Sequence, residues 1–176
     1  MSRNDEIARQ FEAFADLLDA KGVEYKPRAY RRAAENIREY PGAVEDLAAE
    51  GADALDDIDG VGDAIAAKIV EYVETGRIEE LDALREEYPL DMDAITSIEG
   101  VGPKTAGRLY EALGVQSLDD LEDKQLVERQ VISEKPVRVQ YSLTQHGQSL
   151  EPVIIAMRDW GMENLAEPSD PESADV

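Results

Sequence analysis

The chain has no cysteine and only one histidine, His146. Disulfides and thiolate metal sites are therefore excluded, and there is no His cluster for zinc or for a Ser-His-Asp triad. Any metal catalysis would have to rest on carboxylates alone. Long apolar runs are also missing: the longest, Val153 to Met157, is too short to span a bilayer. The polar start, Met1 to Glu6, is not followed by the apolar segment of a signal peptide, so a cytoplasmic location is expected. Lysine is scarce, with six Lys against twelve Arg, and 40 acidic residues outweigh 18 basic ones to give a net charge of -22. The acids are spread over nearly every expected helix rather than gathered in one tail. That distribution suits a salt-rich, halophilic cytoplasm, where molar salt cuts the Debye length to about 3 Å and self-repulsion costs little.

At 176 residues and 43% hydrophobic content, the chain can build one ordinary core or two small ones. One basic island interrupts the acidity. From Lys21 to Arg38, six cations (Lys21, Lys26, Arg28, Arg31, Arg32 and Arg38) face only Glu24 and Glu35. Arg28, Arg31 and Arg32 share one helix face, with Tyr25 and Tyr30 among them, so charge and stacking surface coincide as a nucleic-acid site requires. A solvated helix face is the plainer alternative.

The first half reads as short amphipathic helices. Ile7, Phe11, Phe14, Leu17 and Leu18 mark one, and Tyr30, Ala33, Ala34 and Ile37 the next, with Pro27, Pro41 and Gly42 as punctuation. A unit then occurs twice. Ile58-Asp-Gly60-Val61-Gly62 leading to Ala66-Ala-Lys68-Ile69 is echoed by Ile98-Glu-Gly100-Val101-Gly102 leading to Ala106-Gly-Arg108-Leu109. Each unit is an apolar helix end, a Gly-Val-Gly turn and a helix with its own apolar stripe (Ile65, Ile69 and Tyr72; Ala106, Leu109 and Leu113). The glycines allow positive φ and close approach, and the helix start offers unpaired N–H groups and a positive dipole end to an anion such as phosphate. A nucleotide-binding glycine loop is disfavoured, because no strand precedes either turn and no Gly-Lys-Ser/Thr ending follows.

After Leu118 the period changes to two. Residues 126–132 and 137–143 alternate around a Ser133-Glu-Lys-Pro136 turn and predict a β-hairpin. Thr144 caps a helix carrying Leu150, Val153, Ile154, Met157 and Trp160, and residues 166–176 form a polar tail expected to be disordered. The expected fold is mainly α: a tandem helix-hairpin-helix domain, then a β-hairpin and a C-terminal helix. The segments are 1–90 with the first hairpin, 91–122 with the second, and 123–165, before the tail. A two-stranded hairpin is marginal alone, and the apolar stripe exceeds what this small segment can cover. A homodimer joined through 145–165 is therefore expected; in the alternative, the helix folds back on Leu109 and Leu113 and leaves a monomer.

Residues 1 to about 122 resemble the N-terminal region of family X DNA polymerases, in Tyr25-Lys26-Pro-Arg28-Ala-Tyr30-Arg31-Arg-Ala-Ala, in Ile58 to Lys68, in Thr75-Gly76-Arg77, and in Ile98 to Lys104-Thr-Ala. The resemblance implies a lyase-type domain and two hairpins that hold DNA on either side of a short gap, without membrane partners. Contacts would fall on Lys26, Arg28, Tyr30, Arg31, Gly60, Val61, Gly62, Gly100, Val101, Gly102 and Lys104. It also implies a monovalent cation, K+ or Na+, at Gly60, Gly62, Gly100 and Gly102. Lys68 takes the position of the family's Schiff-base lysine, which attacks the C1′ aldehyde of a 5′-deoxyribose phosphate. Burial beside Ile65, Ile69 and Tyr72 with Lys26 and Arg31 nearby is expected to lower its pKa. Ala64 and Ala67 depart from the Lys and Glu of some lyase-active members. Polymerase activity is not expected: Asp91-Met92-Asp93 is the sole carboxylate triplet suggestive of a metal pair, and it follows Pro89 in a loop.

Residues from about 121 to 165 resemble the C-terminal half of HxlR-type winged-helix regulators, in Leu126-Val-Glu-Arg, Pro136 to Thr144, Gly147, Leu150-Glu-Pro-Val153 and Trp160-Gly161. The wing is present without most of a recognition helix. The functional expectation is a DNA-binding protein that grips the phosphate backbone at gaps or nicks, as in DNA repair, without a polymerase palm. A winged-helix transcription regulator is the alternative.

Overall fold

Helix α1 (Arg3–Ala20) is built to start at Ser2: the Ser2 hydroxyl accepts from the Asp5 amide at 3.1 Å, and the Asp5 carboxylate accepts back from the Ser2 amide at 2.9 Å. Its apolar positions recur at helical spacing, and Ile7, Phe11 and Phe14 are fully buried. The computed structural model describes residues 2–134 and 136–164, without the side chains of Met157, Arg158 and 161–164. The polar tail at 166–176 therefore lies outside the described residues. The chain divides into two compact units, Met1–Asp120 and Leu121–Val176.

In the first unit α1 is the central helix. Helix α2 (Lys26–Glu39) lies along it; Pro27 falls in its first turn, where the missing N–H costs no intrahelical bond. Tyr30 stacks on Phe14 with ring centroids 4.5 Å apart, and Ala33, Ala34 and Ile37 continue the buried seam. Helix α3 (Val44–Glu50) is tied to α1 by Asn4, whose Oδ1 accepts from the Val44 amide at 3.0 Å while its Nδ2 donates to the Gly42 carbonyl at 2.8 Å. A 3₁₀ turn (Ala52–Asp57) leads to α4 (Asp63–Thr75), and α5 (Glu79–Glu87) and the short α6 (Met92–Thr96) follow. Helix α7 (Pro103–Leu113) packs on α1 through Gly107: a Cβ there would lie 2.0 Å from the Ala20 carbonyl oxygen. Helix α8 (Leu118–Asp123) spans the division between the units.

The second unit holds an antiparallel hairpin, β1 (Val127–Glu134) with β2 (Val137–Leu143), bulged between Val131 and Ser133. Helix α9 (Gln145–Ser149) is capped by Thr144, whose hydroxyl accepts from the Gly147 amide at 3.0 Å. Gly147 sits so close to β1 that a Cβ would lie 2.1 Å from the Leu126 carbonyl oxygen. The single C-terminal helix expected from the sequence is in fact two. Helix α10 (Glu151–Asn164) begins after a break at Leu150, because Pro152 has no N–H to continue the ladder. Among the described residues, no helix is long and apolar enough to cross a membrane.

Candidate nucleic-acid interface

The two Gly-Val-Gly turns have the same backbone. Gly60 and Gly100 are left-handed, with φ +79° and +86°. Gly62 and Gly102 are extended, at φ -92°, ψ 175° and φ -94°, ψ 176°, and become the N-caps of α4 and α7. Only the first glycine of each pair uses the positive φ that glycine allows. In each turn the central valine is buried, and its amide donates to the isoleucine three residues earlier at 3.0 Å, Val61 to Ile58 and Val101 to Ile98.

The second glycines are the informative ones. Ser2 and Thr144 have similar extended N-cap backbones and fill them with a capping hydroxyl, whereas Gly62 and Gly102 leave the cap bare. Neither conformation nor packing demands glycine there: any residue adopts that φ, and an added Cβ would meet nothing within 4 Å. The Asp63 and Ala64 amides of α4, and the Lys104 and Thr105 amides of α7, have no acceptor among the described residues. Both helix starts thus offer unpaired N–H groups with space in front of them.

The cation island looks different in three dimensions. Arg31 bridges Asp16 at 2.7 Å and Asp19 at 2.6 Å. Arg32 pairs with Asp59, Arg38 with Glu12 and Asp5, and Lys21 with Glu87. Lys26 and Arg28 are exposed and without an ion pair among the described residues, and Tyr25 beside them is 85% exposed. Tyr30 offers no face for stacking, since its ring is buried in the core against Phe11 and Phe14. Lys104, exposed in the first turn of α7, reaches Asp19 at 4.0 Å. A groove of about 1040 Å³ collects Arg9, Arg31, Arg38 and Arg85, but Glu12, Asp16 and Glu35 line it too, so it is not an anion pocket.

Lys68 is clamped. Its Nζ lies 2.9 Å from Glu80 Oε2 and sits 5.9 Å from the centre of the Phe14 ring. Burial is the largest single influence and pulls the amine's pKa down, yet Glu80 and Tyr30 together outweigh it and the net shift is upward. The expected downward shift is thereby corrected: the nearest charge is a carboxylate, not Lys26 or Arg31, and it holds the amine protonated. Asp91 is the N-cap of α6, accepting from the Ala94 amide at 3.2 Å, and Asp93 lies in the same first turn. The partner carboxylates Asp16, Asp19, Asp59 and Glu80 are the groups that sequence reasoning missed. Their spacing from the cations carries no local signal.

Residues 2–78 match the family model of a helix-hairpin-helix domain, and residues 104–169 match that of HxlR-like helix-turn-helix. The chain is 27% identical over 119 residues to the DNA polymerase/3'-5' exonuclease PolX of Bacillus subtilis (strain 168), which is 67% of this chain and 20% of that protein. It is 29% identical over 122 residues to DNA polymerase lambda of Arabidopsis thaliana, 69% of this chain and 22% of that protein. It is 43% identical over 47 residues to the uncharacterized HTH-type transcriptional regulator YybR of B. subtilis, 27% of this chain and 38% of that protein. The chain is thus similar to a helix-hairpin-helix domain over residues 2–78 and to an HxlR-like helix-turn-helix over residues 104–169, and it spans a minor part of each relative's length. The HxlR-like match begins at Lys104, within α7, so this helix belongs both to the second hairpin and to the HxlR-like stretch.

Proposed function

We propose that this protein binds DNA by its phosphate backbone, with the helix starts at Gly62 and Gly102 as two equivalent phosphate seats, and that it prefers gaps or nicks. The observation that carries this reading is the pair of bare N-caps, each with unpaired amides and open space in front. Lys26 and Arg28, next to the exposed Tyr25, supply charge and a stacking ring at a strand end, while Arg31 is committed to Asp16 and Asp19. The Gly60 and Gly100 carbonyls accept no hydrogen bond from the described residues and suit a K+ or Na+ ion shared with phosphate. The Gly62 carbonyl already accepts from the Ile65 and Ala66 amides, so it is the weaker candidate ligand.

Binding is favoured over lyase chemistry, since a lysine held protonated by Glu80 is a poor nucleophile. Transcription regulation remains the second reading, carried by the match at 104–169 and the wing hairpin. The protein acts as a homodimer through 145–165 in either case, because Val153, Ile155 and Trp160 on α10 are 41–59% exposed. Fluorescence anisotropy in molar KCl tests the gap preference: a gapped duplex with a 5′-phosphate should bind more tightly than an intact one. Equal affinity for the two would refute it.

A further inference from the structure

We propose that the outer edge of β2 is a dimer edge, at which a second copy of this chain adds its own β2 antiparallel with Gln140 on the two-fold axis. The inference rests on the dimer reading above and gives it a register. Among the described residues the sheet has two strands, so each keeps an outer row of N–H and C=O groups that no strand pairs, the Leu143 carbonyl at the end of β2 alone accepting a long 3.4 Å bond from Gln148 Nε2. The two edges are unequal. β1 carries Glu128, Arg129 and Glu134 and is interrupted by its bulge; β2 runs unbroken from Val137 to Leu143 with one charge, Arg138, and no proline. Bulges and charges are the usual protections of a solvent edge, and β2 has little of either.

The β2 sequence is also complementary to itself. With Gln140 opposite Gln140, Val139 falls opposite Tyr141, Arg138 opposite Ser142 and Val137 opposite Leu143. No like charges meet. Val–Tyr is a favourable β-branched/aromatic cross-strand pair, and two facing amides can hydrogen-bond. In this register the odd residues Val137, Val139, Tyr141 and Leu143 of both copies lie on one face. They extend the partly exposed apolar face of the hairpin into a four-stranded sheet. A lone hairpin is marginal, whereas three or more strands with an apolar face are self-supporting. A two-fold axis through a strand edge also closes the assembly at two copies, so no open fibre forms.

The absence of cysteine makes the test clean. Gln140→Cys in the full chain introduces one thiol, whose counterpart across the axis lies at cross-strand Cβ distance, roughly 4.5–5.5 Å. Mild oxidation in molar KCl should give a covalent dimer on a non-reducing gel. Gln130→Cys, on β1 opposite Gln140 in the same hairpin, is the control. It should cross-link about tenfold more slowly, because a disulfide needs Cα atoms within about 7 Å. Cross-linking at 140 no faster than at 130 would overturn the edge. Light scattering of the unmodified chain separates the two readings: a dimer with no preference for 140 sinks the edge and keeps the helix-mediated dimer, while a monomer sinks both.

Discussion

The two units treat their apolar residues in opposite ways. Of the eight large hydrophobic side chains left exposed among the described residues, Val131, Ile132, Val137, Val153, Ile155 and Trp160 lie in Leu121–Val176, and only Tyr25 and Leu113 lie in Met1–Asp120. The first unit closes a core around α1 from helices that contribute one seam each. The second has a hairpin and two helices, with Leu121, Leu126 and Val127 as the large buried residues among those described. The first thus closes its core with its own helices, whereas the second leaves most of its large apolar side chains exposed.

Core truncation should separate them most widely. Phe14→Ala removes a fully buried ring stacked on Tyr30 and should cost about 3–5 kcal/mol in thermal or denaturant unfolding. Ile132→Ala, at a side chain 58% exposed, should stay within about 0.5 kcal/mol for the isolated protomer. Similar costs would erase the contrast. Within the first unit, Gly107→Ala should cost about 1–3 kcal/mol by overpacking against Ala20, and a neutral result would mean that α7 does not sit that close to α1.

The Lys68–Glu80 pair should give a smaller effect, under about 1 kcal/mol, since Glu80 is half exposed. The sign follows from the upward shift at Lys68. Its contribution is fully present below the ordinary lysine pKa and fades as pH rises through the higher folded value, so it is lost only on the alkaline side. Glu80→Gln should soften alkaline stability and lower the pKa of the amine. It should also increase any borohydride trapping on an incised abasic site. Trapping that survives Lys68→Ala would remove that lysine from the chemistry.

How much of this was legible in the sequence depends on distance along the chain. The repeated turns were readable because Gly-Val-Gly and the stripe after it are local signals, and the hairpin showed in its period of two. The ion pairs of the basic island were not legible, because the carboxylates that neutralise Arg31 sit on α1, and only folding brings them together. Tyr30 belonged to both an apolar stripe and a cationic face, and the stripe prevailed because Phe11 and Phe14 supply a flat apolar wall. The break at Leu150 was written in Pro152, but the apolar spacing from Leu150 to Trp160 masked it.

The central claim is that Gly62 and Gly102 stay bare so that phosphate can occupy their helix starts. Replacing both with Asp tests it, because Asp in that backbone caps its own helix with a side-chain oxygen and sets a negative charge where phosphate would sit. Folding stability should hold or rise by a few tenths of a kcal/mol per site. DNA affinity in molar KCl should fall by about tenfold per site, through the loss of charge-assisted bonds to the amides. A variant that melts at or above the parent temperature and has lost its DNA affinity is the predicted result; a variant that binds gapped DNA as tightly as the parent would contradict the account.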